Sequence, residues 1–277
     1  MNVVVIGRGK VARAIQARLG KSSHRVKVLA SRGRLPKIGD DVELIVLAVR
    51  DDAIADLARR LAATRARPLG AAVIHVAGAL GPEVLGALSG RCAGIGRAHP
   101  LASFASRQRF PDLRGALWLM DGERVAVARA RQLGLALGCL PRRWPGVTPA
   151  AYHAAAALTA NGAATLAAAS ARVLVGAGAP PREVARAVGV LLRSVAENVG
   201  RVGLPEALTG PVRRGDARTV SRHLHALAPW GQEITELYRV CALAQLPLAA
   251  ALGEASAADL ARVRRVLGPK RPRRRRV

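Results

Sequence analysis

The chain is short of aromatic, acidic and sulfur-bearing residues, and each shortage excludes something. Phe, Trp and Tyr together make up 3% of 277 residues, so Ala, Val and Leu must fill the core. The three cysteines, Cys92, Cys139 and Cys241, are odd in number, far apart and without a Cys-x-x-Cys pair. That excludes a disulfide framework and a zinc knuckle, and points to a reducing, cytoplasmic compartment. No metal site is expected, because His223 and His225, two apart, fall on different faces of a helix. The absence of a Gly-x-Ser-x-Gly elbow speaks against nucleophilic hydrolysis. No long apolar run is clean. The Ala-rich stretch 150–179 comes closest, but Asn161 and Arg172 interrupt it, so a buried helix is expected rather than a membrane span. The first residues enter a strand directly, without the basic and apolar regions of a secretory signal.

Acid is scarce too: 18 Asp and Glu stand against 44 Lys and Arg, a net charge of +26, and only five of the bases are lysine. In the folded part the arginines are scattered, which suits a charged surface in an Ala- and Arg-rich composition better than a nucleic-acid footprint. The end, 269–277, packs six bases into nine residues without apolar periodicity. It predicts a disordered basic tail able to bind polyanions weakly, with no platform for specific nucleic-acid reading.

What is present is organised in two halves. Apolar runs at Asn2–Ile6, Arg25–Ala30, Leu44–Val49 and Ala72–Val76, with lesser ones at Ala93–Ala98 and Ala116–Met120, alternate with helical patterns at Lys10–Leu19, Asp51–Ala63, Pro82–Leu88 and Val125–Leu137. Continuous apolar strands separated by helices predict a doubly wound parallel sheet of the Rossmann type, an α/β domain over residues 1–146. Trp144-Pro145 and Thr148-Pro149 punctuate a linker. Beyond it the pattern is helical, with helices expected at 150–176, 181–200, 216–227, 230–245 and 256–267. This all-α domain, 147–268, is expected to serve substrate binding and dimerisation, because its helices are more apolar than self-cover requires.

The first strand runs into Gly7-Arg8-Gly9-Lys10-Val11-Ala12, a Gly-x-Gly-x-x-Ala loop opening a helix. Gly7 suits the tight turn, Gly9 lets a pyrophosphate reach the backbone, and Ala12 lets helix and strand pack closely. The helix N-terminus offers amide donors and partial positive charge. The second strand ends at Ser31-Arg32, with Arg34 close behind, where NAD binders carry an acid for the ribose hydroxyl. Ser31 and Arg32 suit a 2′-phosphate, so NADP(H) is the expected cofactor. Val49, after the third strand, should border the ribose or nicotinamide, while Asp51 and Asp52 suit a helix start.

Candidates for chemistry lie on the same sheet edge. His75 ends the fourth strand and His99-Pro100 the fifth, with Ser103 just beyond. A histidine there can move a proton near neutral pH or hold a backbone carbonyl, and both readings stay open. Tyr152-His153 begins the first long helix, and Asn161 lies further along it amid Ala and Leu. A buried amide needs a partner, either a helix or a bound ligand. Thr209, Arg213 and Arg214 could hold a substrate carboxylate, and Asp216 reads as a helix cap or a substrate contact.

Taken in order, Gly7–Ala12, Ala48–Ile54, His75–Gly78, His99–Phe104, Tyr152–Leu166 and Leu208–Leu227 resemble a family of Rossmann-like NADP-binding proteins whose helical C-terminal domain was long of unknown function. The layout is more distantly similar to pyrroline-5-carboxylate reductase and 6-phosphogluconate dehydrogenase-like proteins. Prephenate dehydrogenases share the His-Pro pair. Some members of the nearer family look like alternative ketopantoate reductases of pantothenate biosynthesis. The resemblance implies hydride transfer from NADPH to a small carbonyl compound bearing a carboxylate; His99, as the acid protonating the forming alkoxide, and Asn161 are the catalytic candidates for it. It also implies a homodimer. Two departures stand out. Conventional ketopantoate reductases use a lysine of the C-terminal domain, and this chain has none between residues 37 and 270. The family's serine in His-x-Ser-Gly is Ala77 here. A non-catalytic NADP(H) sensor and an imine reductase are the competing expectations.

Overall fold

The computed structural model describes residues 1–20, 24–35, 37–64, 68–106, 108 and 110–268. The expected disordered tail, 269–277, lies outside them. The chain forms two compact units, Met1–Asn161 and Gly162–Val277. The division falls inside a long helix, beyond the Pro149 linker.

In the first unit the strands β1 (Asn2–Ile6), β2 (Arg25–Leu29), β3 (Leu44–Leu47), β4 (Ala72–His75), β5 (Gly94–Pro100), β6 (Leu117–Gly122) and β7 (Leu140–Arg142) form one sheet in the order β2-β1-β3-β4-β5-β6-β7. All four residues of β3 and all four of β4 are buried, as expected for strands covered on both faces. Val46 and Ile74 belong to one core cluster and Ile45 and Val73 to the other, one on each side of the sheet. Helices α1 (Lys10–Leu19), α2 (Ile54–Ala63) and α3 (Arg124–Ala136) cover those faces with buried residues at helical spacing, such as Ile54, Leu57, Ala58 and Leu61 of α2. Each large side chain so buried contributes about 1.5–3 kcal/mol.

The sheet departs from the all-parallel expectation at β6, which runs antiparallel to β5. Among the described residues the stretch from Leu101 to Ala116 contains no helix, and without a crossover the chain returns in the opposite direction. β6 is then locked to α3 by Trp118, fully buried, whose indole donates to the Ala130 carbonyl at 2.9 Å. Strand β7 was not expected, being three residues long with Pro141 at its centre.

The helical part comprises α4 (Pro149–Gly176), α5 (Pro181–Val202), α6 (Ala217–Leu227), α7 (Gln232–Leu252) and α8 (Ala257–Leu267). Val220 of α6, Ala242, Leu246 and Ala249 of α7, and Val263 and Leu267 of α8 form its core. Helix α7 runs past Pro247, further than residue 245 where the sequence suggested a stop. Proline removes one donor, but Leu246 and Ala249 are buried on either side of it and hold the helix together. Helix α4 is long and apolar enough to cross a membrane by length and composition, yet none of its apolar window is buried. The expected buried helix is therefore exposed in the single chain, with Tyr152 its one buried residue. Apolar composition says that a helix wants cover, not that its own chain provides it.

Candidate functional site

A cleft of about 820 Å³ lies where the carboxyl ends of β1, β2, β3, β4 and β5 meet the loops that follow them. This is the edge at which open α/β sheets bind ligands, next to the reversal of strand order between β1 and β3. Its floor is the turn into α1. Gly7 has φ +132°, and a Cβ there would overlap the carbonyl oxygen of Ala48. Gly9 has φ −73° and is spared any such collision, the nearest atom being 3.8 Å from where a Cβ would stand. No side chain caps α1 and no acid occupies its first turn, so its leading amides and dipole remain available to an anion. Ala12 lies beneath, fully buried in the core, and allows the close packing of helix on sheet.

Charge around the cleft is lopsided. Arg8, Lys10, Arg13, Arg32, Arg50 and Arg60 line it against Asp51 and Asp56. Arg50 is engaged with Asp52 at 3.3 Å, and Lys10 Nζ donates to the Ala105 carbonyl at 3.2 Å. At the end of β2, Ser31 and Arg32 line the wall, and the first acid after them in the sequence is Asp40. Arg60 reaches from α2 to donate to the carbonyls of Ser31, at 2.9 Å, and Gly33, at 2.5 Å. No sequence pattern hints at this clamp, because Arg60 lies far along the chain among many arginines. The residues present fit a dinucleotide bearing several phosphate charges: an open helix start, a glycine floor and a cationic rim.

At the other end stand Ala77, Gly78, His99 and His153. His75, expected to touch the cofactor, instead lies behind this wall with no exposed surface. Its Nε2 donates to the Gly81 carbonyl at 3.0 Å and its Nδ1 accepts from the Ala77 amide at 3.2 Å. Burial lowers its pKa below the ordinary 6.5 despite the Gly81 bond, which favours a neutral ring holding the Ala77–Gly78 strip in place. A Cβ on Gly78 would overlap Nδ1 of His153 and stand 3.0 Å from Nε2 of His99, so both imidazoles close on that backbone. His99 Nδ1 lies 3.0 Å from the Tyr152 hydroxyl, and the rings meet edge to face at 5.5 Å. Burial, then the neighbouring His153, Arg97 and His75, push the His99 pKa down to about 4.

Arg97 is the residue that sequence reasoning missed most plainly. It is 2% exposed, its Nη1 donates to the Gly78 carbonyl at 3.2 Å, and its Nε has no partner. Its guanidinium carbon sits 5.7 Å from the centre of the Tyr152 ring. A signal existed: Arg97 is two residues before His99 on β5 and so shares its face.

Gly7, Arg8, Gly9, Lys10, Val11, Ser31, Arg32, Val49 and His99 all line the cleft, whereas Ser103 and Asn161 do not. Asn161 lies nine residues beyond Tyr152 on α4, roughly 14 Å along the helix axis. Thr209, Arg213 and Asp216 belong to the second unit. There Arg213 forks onto Glu254 and the carbonyls of Glu206 and Leu208. Asp216 caps α6 by accepting from the Thr219 amide at 2.9 Å. Structural roles account for both.

Residues 116–245 match the family of the domain of unknown function DUF2520. No curated protein matches the sequence. Among solved structures, a protein from Thermotoga maritima is 20% identical with a TM-score of 0.65, covering 91% of this chain and 99% of its own. A candidate NADP oxidoreductase from Bacteroides fragilis is 19% identical with a TM-score of 0.66, covering 89% and 98%. The 1-pyrroline-5-carboxylate reductase of Streptococcus pyogenes is 17% identical with a TM-score of 0.57, covering 91% and 98%. These likenesses show a shared Rossmann-type fold with a helical C-terminal region.

Proposed function

We propose that this DUF2520-containing chain is an NADP(H)-dependent oxidoreductase acting on a small 2-oxo acid, with ketopantoate the first substrate to test. The observation that carries the reading is one continuous cleft running from the Gly7–Val11 turn, past Ser31, Arg32 and Arg60, to His99 and His153. The α1 amides would hold the pyrophosphate, while Ser31 and Arg32, on a loop fastened by Arg60, would take a 2′-phosphate. The nicotinamide, when bound, supplies or accepts the hydride. Ala77 and Gly78, held by His75, form a wall for it, and His99 is the group placed to exchange a proton with substrate. The likeness to a Bacteroides protein described as a candidate NADP oxidoreductase supports the cofactor class. The lack of lysine between residues 37 and 270 means that any ketopantoate reduction here uses a different acid from the conventional enzymes.

The likeness to a pyrroline-5-carboxylate reductase favours a second reading, the same hydride chemistry on a C=N bond. Calorimetric titration with NADPH and NADH, followed by loss of nicotinamide absorbance with ketopantoate, other 2-oxo acids and 1-pyrroline-5-carboxylate, tests both. Tighter NADPH binding and turnover of ketopantoate are expected. Tighter NADH binding overturns the cofactor choice. Turnover of the imine alone transfers the assignment to the second reading. Binding without turnover of any of these leaves a sensor of NADP(H).

We also propose that the protein works as a cytoplasmic homodimer. Leu191, Val195, Val199 and Val202 of α5, each 41–65% exposed, follow one another at intervals of three and four residues. A straight apolar seam of this kind suits a like helix from a second copy. The free thiols of Cys92, Cys139 and Cys241 fit a reducing compartment. Light scattering that gives a monomer mass would overturn the dimer.

A further inference from the structure

The His99 side chain has its two nitrogens in unlike surroundings. Nδ1 faces the Tyr152 hydroxyl at 3.0 Å, and Nε2 faces the backbone of Gly78 in the wall of the cleft. The Tyr152 hydroxyl carries one hydrogen, which Nδ1 can accept. With Tyr152 donating, the ring proton of His99 resides on Nε2, directed toward the cleft. Tyr152 itself is 4% exposed and lies under the guanidinium of Arg97. The groups facing His99 are His75 from β4, Arg97 from β5, and Tyr152 and His153 from α4. Burial, then His153, Arg97 and His75, keep it neutral, with a pKa of about 4, so at neutral pH there is no imidazolium to serve as an acid. A neutral imidazole that gives up Nε2–H needs a proton in return.

We propose that Tyr152 and His99 form a two-member proton relay beneath the cleft, with Arg97 as the buried cation that supports it. The relay rests on the reductase reading above. As a hydride from the reduced nicotinamide dinucleotide forms the new C–H bond at the substrate carbonyl carbon, the C=O π pair moves onto oxygen. His99 Nε2–H passes its proton to that oxygen, and Tyr152 O–H passes its own to Nδ1. The cofactor is oxidised by two electrons, the carbonyl becomes an alcohol, and a tyrosinate remains beside Arg97 until water reprotonates it. Burial raises the Tyr152 pKa to about 12, against the opposing pull of Arg97. A phenol of that strength is still more acidic than an aliphatic alcohol, so the transfer runs toward product. The orphaned Nε of Arg97 marks a charge placed without full local satisfaction, as an electrostatic support for an anion would be.

Nitrogen-15 NMR of the histidines in wild type and Y152F, with single-turnover kinetics using NADPH and the best carbonyl substrate, tests the relay. Expected are a His99 tautomer protonated on Nε2 that stays neutral through neutral pH, and a mixture of tautomers in Y152F. The hydride step should slow about 10²–10⁴-fold in Y152F, with NADPH affinity unchanged. A wild-type ring protonated on Nδ1, or an undiminished hydride step in Y152F, overturns the relay. Wild type that shows the expected tautomer yet reduces no carbonyl overturns the reductase reading, and the relay with it, on separate grounds.

Discussion

Arg60 and Ser31 are joined across the mouth of the cleft, Nη1 of one donating to the carbonyl of the other at 2.9 Å. The same guanidinium also holds Gly33 and lies 4.0 Å from Asp56. A cation on α2 thus fixes the shape of a loop that follows β2, at the place where a 2′-phosphate would be distinguished from a hydroxyl. R60A should therefore weaken NADPH binding about tenfold while changing NADH binding little. R60K, keeping the charge but not the fork, should recover part of the loss. Calorimetry with both cofactors is the measurement, and equal losses for the two would assign Arg60 to loop stability alone.

Gly134 and Trp118 set two effects against each other. Replacing a helical glycine by alanine ordinarily gains about 1 kcal/mol. Here the new Cβ would stand 2.5 Å from Cδ1 of a fully buried indole. That indole is tied to Ala130 and cannot swing away. Overpacking of this kind costs about 1–3 kcal/mol, so G134A should be neutral to destabilising rather than stabilising. Urea unfolding gives the sign.

His75 spans the strip that walls the cleft, bonding both Gly81 and Ala77. H75A would orphan that amide and carbonyl and leave a void in a fully buried place. A loss of about 2–4 kcal/mol is expected. NADPH affinity should fall as well, because Ala77 and Gly78 lose their support. If stability falls while affinity holds, the strip does not shape the cofactor end.

The pKa shifts of His75 and His99 fix the sign of an acid response. Both lie below the ordinary 6.5 in the folded chain, so the unfolded chain binds protons that the folded one refuses. Stability from these rings is whole above pH 6.5 and is lost as pH falls from there through about 4. Carboxylates lose theirs lower: Asp112, held down to about 2 by Arg114, gives up its share only below its ordinary 3.8. The difference between wild type and H99N isolates the share of His99, and the unfolding midpoint of H99N should vary less over that window.

The turn from β1 into α1 was legible because its evidence is local: an apolar strand, two glycines and a helical period follow one another within Asn2–Leu19. His99 was legible for a similar reason, standing beside Pro100 at the end of an apolar run. Strand direction is not written in a period of two, so β6 read as one more parallel strand. Arg97 was hidden by company, one buried arginine in a chain where arginine is common and mostly exposed. The pairing of Tyr152 with His99 joins residues 53 apart, and no local pattern encodes such a meeting. The exposure of α4 does not follow from its residues, because hydrophobicity reports a need and not its source.

The two glycines of the turn into α1 answer to different judges. Gly7 is demanded by the chain itself, since any side chain there meets Ala48 and a backbone angle hostile to L residues. Gly9 has an ordinary backbone angle and open space above it. A screen for folded protein alone would discard variants at the first and pass alanine at the second. The motif therefore carries its own control: G9A is the substitution that separates loss of a guest from loss of the house.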